Sequence, residues 1–466
     1  MVFRCHWLIY FLSSVLGNVM FKTRLFACLI ASSVLTACGG GGSSDSGSTG
    51  GGGSVIPASF KATFISASDC GTTQASTNGE LLIHDQNWRV ISRHKPDSNG
   101  NVTASFSGGN TANISAITFS TGQNAEFSVV SYAQHPVTDL GTFYVPGSSK
   151  QGCECQNVNV IVSSPFGSLS ASDLILTGFN TGEQNRVQMS FNEVRFEQVE
   201  VCRVPNDAWP VLAAVANNGS PRATAGSVKQ YNTANTILLS LNQNATPLPV
   251  SLNNFDVSLS ETHYTATGGF GFRSRFGAND VYIFNQLEGV EVISLRAANN
   301  VIESTGEGYI FRSATQRQNF KPPLNNMPVF TVPTTDAQQA LESFLVRDLS
   351  SNNNNYNLSG VQGFNTFYLY AQTTLTDGTN YLQSFVGPLQ GTYPDEIVPA
   401  DYNIESRLNE NAAATINASV IRYGDNQTYQ QYLADLSERS TLSFADRTTG
   451  KWATYSTVGV QITSTP

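Results

Sequence analysis

Charge is scarce in this chain. Only 13% of its 466 residues are Asp, Glu, Lys or Arg, and 34 acidic residues outnumber 25 basic ones. A net charge of −9 excludes the dense basic surface that nucleic-acid binding requires. Histidine is scarcer still, with only His84, His94, His135 and His263 beyond the first forty residues. No Gly-x-Ser-x-Gly turn, His-Glu-x-x-His helix or phosphate-binding Gly loop occurs, so serine-hydrolase, zinc-protease and nucleotide chemistry have no motif to rest on. Gly269-Phe270-Gly271 runs into Phe272-Arg273-Ser274, which breaks a dinucleotide fingerprint at its third glycine. The sequence therefore predicts no cofactor and no metal site. Long apolar runs are missing too, since the run at 25–34 is about half the length that spans a bilayer.

What is present begins with an export leader. Lys22 and Arg24 precede the apolar run, and Leu35-Thr36-Ala37-Cys38 closes it. These residues resemble the lipobox of bacterial lipoproteins. The resemblance implies cleavage before Cys38 and acylation of that cysteine, giving a membrane partner through lipid, with two or more acyl chains for stable anchoring. Met20 is the expected start of the leader, because the apolar stretch 1–19 duplicates what a signal needs only once. Gly39 follows the cysteine, which resembles the sorting pattern of lipoproteins sent to the bacterial outer membrane. Removal of residues 1–37, with Arg4, Lys22 and Arg24, takes the net charge from −9 to −12. Residues 39–54 are almost wholly Gly and Ser, a tether with a span of about 20–24 Å that cannot bury a core.

Four cysteines, Cys70, Cys153, Cys155 and Cys202, lie in the exported body. In an oxidising compartment an even set is most simply two disulfides. A four-thiolate zinc site needs wider knuckles than the spacing of Cys153 and Cys155 allows. On a strand these two point to one face with parallel side chains, so each is expected to pair with Cys70 or Cys202 rather than with the other.

The body reads as mainly β. Val102, Ala104 and Phe106 alternate with polar residues, as do Val158, Val160 and Val162. Parity switches between Phe196 and Val199, predicting a bulge near Glu197 and Gln198. Further strands are expected at 237–241, 281–284, 290–295, 367–371 and 452–462. Residues 88–93 and 102–106 read as a hairpin across the turn 97–100. The stripes Ala337, Ala340, Leu341, Phe344, Leu345 and Tyr429, Tyr432, Leu433, Leu436 predict two short helices, the first capped by Thr335. Prolines at 322, 323, 328 and 333 mark a boundary. A Gly-Phe signature at Gly178, Gly269 and Gly363 recurs at the spacing of β-sandwich modules. The stretch 97–106 resembles part of the transthyretin-like or carboxypeptidase-regulatory-like modules of exported proteins, which implies a sandwich. The expected architecture is thus tandem antiparallel β-sandwich modules, Ig-like or transthyretin-like: 55–150, 151–252, 253–330, and a C-terminal module 331–466 with both helices.

For chemistry, Asp395, Glu396, Asp401 and Glu405 cluster between two elements, and an acid pair remote in sequence suffices for a glycosidase. His84 and His94 flank a predicted strand and read as structural rather than metal-binding. Asp97, Asn99 and Asn101 alternate like calcium ligands, yet Gly108 stands where the closing Glu should be, so they read as a turn. Tyr368, Tyr370, Tyr381, Tyr393 and Tyr402 crowd the last module as core packing or as platforms for a glycan. The leading expectation is a non-enzymatic binding, adhesion or structural lipoprotein of the cell envelope, with an envelope protein or glycan as partner. The alternatives are a carbohydrate-active or other hydrolytic lipoprotein using an acid pair, or a subunit of a secretion or outer-membrane assembly.

Overall fold

A computed structural model of the chain describes residues 59–464, apart from 69, 123–124, 148–149, 178–184, 218–219, 253–256, 266–267, 272–274, 277–278, 306–307, 334–335, 349–353, 395–397, 410, 426–427 and 441. Cys38, the tether, Thr335, Asp395 and Glu396 lie outside these residues.

The protein is mainly β, with several antiparallel sheets. One sheet of thirteen strands dominates. Across it the order runs Gly268–Gly271, Ser258–Thr265, Val290–Thr305, Gly308–Phe320, Thr454–Ser464, Ala414–Tyr423, Thr366–Thr374, Asn380–Gly387, Glu126–Pro136, Thr111–Phe119, Gly79–His84 and Val90–His94, with Arg275–Phe276 beside the second. Every pairing is antiparallel except that of Asn380–Gly387 with Glu126–Pro136, which is parallel. At this seam the Tyr429 hydroxyl lies 2.8 Å from the carbonyl oxygen of Ala133 and 3.0 Å from that of Val386, reaching one acceptor on each side.

The sheet crosses two of the expected divisions. Gly308–Phe320, before the prolines, pairs along its length with Thr454–Ser464, after them. Proline removes a donor and interrupts local pairing, but it does not stop the chain returning to the same sheet. Modules in series are therefore not what residues 55–150, 253–330 and 331–466 build. Residues 154–244 do form a separate two-sheet sandwich. Glu154–Ser163, Glu193–Arg203, Asn185–Ser190 and Ile237–Ser240 make one sheet, and Leu174–Thr177, Leu212–Ala216, Thr224–Val228 and Gln243–Asn244 the other. Between them Val158, Val160, Val162, Phe196, Leu174 and Leu212 are buried. Alternation sets the inward face, and the expected bulge falls between Phe196 and Val199, with Gln198 at a positive φ of 55°.

The hairpin across 97–100 is corrected. Val90–His94 pairs with Gly79–His84, whereas Asn101–Ser105 pairs with Ser59–Ala67 in a second sheet. The turn is an arch between two layers. Asp97 Oδ1 accepts the backbone N–H groups of Asn99 and Asn101, each at 2.8 Å, so this carboxylate closes the turn. Gly100 follows at φ 77°, and a Cβ there would sit 2.3 Å from the Phe64 carbonyl oxygen, so only glycine fits. The second sheet buries Phe60, Phe64, Val102 and Ala104 against Leu81, Ile83, Ile114 and Ala116.

Both helical stripes form helices. Asp336–Ser343 continues into a wider turn at Phe344–Asp348 and buries Ala337, Leu341, Phe344 and Leu345 in the main core. Tyr429–Ser440 packs Tyr429 and Leu433 on Val386, over the other face of the sheet. The Gly-Phe signature is no structural repeat: Gly269 lies in a strand and Gly363 in a turn at φ 82°, while Gly178 is outside the described residues.

Candidate functional site

The cysteines pair as Cys70 with Cys153 and Cys155 with Cys202, at S–S distances of 2.10 and 2.12 Å. Cys155 and Cys202 are direct partners on adjacent antiparallel strands, while Cys70 and Cys153 tie the inserted sandwich to the second sheet. Glu200 sits beside the Cys155 and Cys202 sulfurs, but a bridged pair offers no thiolate to a metal, and Glu200 is held by Lys150 Nζ at 2.8 Å.

The histidines are structural. His84 is 1% exposed. Its Nδ1 donates to the Trp88 carbonyl at 3.1 Å, and its Nε2 is 2.9 Å from the Ser115 hydroxyl. His94 engages Ser92 instead, so the two rings do not share a metal. Burial lowers the His84 pKa to about 4 and that of His263 to about 3. Each pKa is therefore lower in the folded chain than in the unfolded one, where 6.5 is ordinary. The unfolded chain takes up protons first as pH falls. The stability that neutral His84 supplies is whole above about pH 6.5 and is lost on the way down to about pH 4, a difference of about 3 kcal/mol. Denaturant unfolding at about pH 7 and about pH 4.5 checks this, and His84→Gln is expected to flatten the difference. Equal stability at both values would refute it.

An open pocket of about 380 Å³ lies at one end of the strands Thr111–Phe119 and Glu126–Pro136. Phe119, Phe127 and Tyr402 line it with aromatic surface. The Tyr402 ring meets Phe127 edge-on at 5.1 Å and lies 6.0 Å from Phe119. Its polar lining includes Glu126, Asp377, Thr379 and Arg407. Asp377 and Gly378 turn the chain between Thr366–Thr374 and Asn380–Gly387, and the helical turn Ile404–Arg407 brings Arg407 over that turn. Arg407 Nη2 donates to Asp377 Oδ2 at 2.7 Å and to Thr379 Oγ1 at 3.0 Å. Thr379, through its side chain and its backbone N–H, holds the Asp377 carboxyl below its usual range, and Arg407 adds to this. Glu126 differs. Burial pushes its carboxyl up, so the pocket joins one acid held ionised to another whose proton is held more firmly.

Behind the pocket a charge network fixes Tyr402. Its hydroxyl donates to Glu80 Oε2 at 2.9 Å. Glu80 is 1% exposed and accepts from Arg93 Nε and Nη2, both at 2.8 Å. The same guanidinium reaches both oxygens of Asp401, at 2.8 and 3.0 Å. A planar fork satisfies two carboxylates in this way where an ammonium would not.

Of the residues singled out from sequence, Tyr402 lines the pocket and Asp401 supports it from outside. Glu405 is exposed on the first turn of its helix, and Asp395 and Glu396 are outside the described residues. Tyr381 and Tyr393 are buried packing groups. Tyr368 and Tyr370 lie half-buried on the opposite face of the sheet, with rings nearly parallel at 6.4 Å. The five tyrosines do not form one platform. Glu126, Asp377 and Arg407 were not found from sequence; Asp377-Gly378 is a legible turn, but nothing marks Glu126.

Fold and site together define a mainly-β protein with an inserted sandwich and an aromatic pocket that also carries acids. No protein-family model matches the chain, and no curated protein matches it.

Proposed function

We propose that this chain is a lipid-anchored envelope protein whose body binds a glycan unit in the Phe119–Phe127–Tyr402 pocket without turning it over. The observation that carries the reading is the convergence of aromatic surface with fixed polar groups in that pocket. Aromatic rings accept the apolar face of a sugar while carboxylate, hydroxyl and guanidinium groups take its hydroxyls. Anchoring rests on the lipobox at Cys38, and it agrees with the body, where no described helix is long and apolar enough to cross a membrane. Intact-mass analysis of the membrane-extracted protein is expected to give a chain starting at acylated Cys38; an unacylated chain or another start would oppose it.

A second reading is favoured by the contrast between Glu126 and Asp377, which line the same pocket: glycoside hydrolysis uses one acid whose proton is held firmly and a second that is ionised. Glu126→Gln separates the two. In the binding reading the variant retains ligand and neither form releases reducing sugar. Release by the wild type, lost in Glu126→Gln, would establish hydrolysis.

A further inference from the structure

On the face opposite the pocket, one row of side chains crosses five neighbouring strands in direct register. Ser260 faces Arg296, Arg296 faces Arg317, Arg317 faces Tyr455, and Tyr455 faces Tyr423. The Arg317 guanidinium lies 5.2 Å from the centre of the Tyr455 ring, and Tyr455 meets Tyr423 edge-on at 5.6 Å. From the helix Tyr429–Ser440, Arg439 caps Tyr423 at 4.2 Å. Arg296 is exposed and reaches Thr315 Oγ1 at 3.3 Å.

Two like charges directly opposite in an antiparallel pair are unfavourable. Arg93, Arg195, Arg203, Arg312 and Arg407 each hold a carboxylate, whereas other described arginines, such as Arg186 and Arg422, have no ion pair among the described residues but are not set directly opposite a second arginine. Arg296, Arg317 and Arg439 form no ion pair among the described residues, and the buried Arg317 Nε has no hydrogen-bond partner there. Among the described residues no carboxylate forms an ion pair with Arg296 or Arg317. The row is complementary to an anion supplied from outside.

We propose that Arg296, Arg317 and Tyr455 form a second binding site, for a carboxylate-bearing polysaccharide. The guanidiniums take uronate carboxylates through paired N–H groups, and Tyr455 offers its ring to a sugar face. Ser260, Ser313 and Asn300, on the same face, present hydroxyl and amide groups suited to a polyhydroxylated chain. An acidic protein segment fits less well, because a sheet face presents side chains and no free backbone edge. The proposal goes beyond the pocket reading and does not depend on it.

The test uses the full-length protein in detergent with polygalacturonate as probe, neutral dextran as the uncharged control and polyglutamate as the acidic peptide. The wild type is expected to bind polygalacturonate in a salt-sensitive manner. Arg296→Gln should weaken binding at least about tenfold with an unchanged melting temperature, and Arg296→Lys should recover part of it. No binding of polygalacturonate, equal binding by Arg296→Gln, or equal affinity for dextran or polyglutamate would each overturn the site.

Discussion

Arg93→Ala is expected to destabilise the folded body by about 3 kcal/mol or more, the largest effect of any single side-chain truncation proposed for it. Glu80 is almost fully buried, and Arg93 supplies two of the three hydrogen bonds recorded for its carboxylate. Truncation leaves a buried charge with the Tyr402 hydroxyl alone, and stranding a buried ion costs more than the pair itself contributes. Arg93 is one-third exposed, so water entering the gap limits the loss to the lower part of the range for such sites. Asp401 is mostly exposed, and its release adds little. Glu80→Gln combined with Arg93→Ala should recover part of the stability, since no charge is then stranded. Denaturant unfolding of wild type, single and double variants measures this; a single variant within about 0.5 kcal/mol of wild type would show that the network does not hold the pocket.

The second large effect is that of the Cys70 to Cys153 bridge. It links residues separated by 83 positions, and confining a loop of that length in the unfolded chain raises stability by about 4 kcal/mol in the chain-entropy account. Replacing both cysteines by serine is expected to remove most of that. The inserted sandwich keeps its own core and its Cys155 to Cys202 bridge, so it should survive while its attachment to the second sheet loosens. Thermal unfolding with and without reductant is the check. The reduced wild type should unfold below the serine variant, because reduction also opens the second bridge. A wild type indifferent to reductant would contradict the assignment.

Local features were legible in the sequence because local physics sets them. Alternation placed Val158, Val160 and Val162 inside, the parity switch marked the bulge at Gln198, and both helical stripes buried the side chains they named. Pairing was not legible. The turn 97–100 has every residue a hairpin wants, yet Gly100 fits beneath Phe64 of another sheet, and that long-range contact decides which strands join. The prolines at 322–333 likewise read as a boundary, while register between Gly308–Phe320 and Thr454–Ser464 is set by side chains more than a hundred residues apart. The pocket shows the same division. Asp401 stood out in the acidic cluster with Asp395, Glu396 and Glu405, and Tyr402 among the tyrosines of the last module. Glu126 and Asp377 line one pocket because Glu126–Pro136 pairs with Asn380–Gly387 in parallel, with Glu126 opposite Asn380.

The central claim is that the aromatic pocket holds a glycan. It is tested most directly by presenting the full-length protein, as wild type and as Phe119→Ala, to an array of glycans. Phe119 is half-buried at the pocket wall, so its truncation removes stacking surface without opening the main core. The account predicts that the wild type retains a defined set of glycans and that Phe119→Ala retains the same set at least about tenfold more weakly. A wild type that retains none, or a variant that binds as tightly, would contradict it.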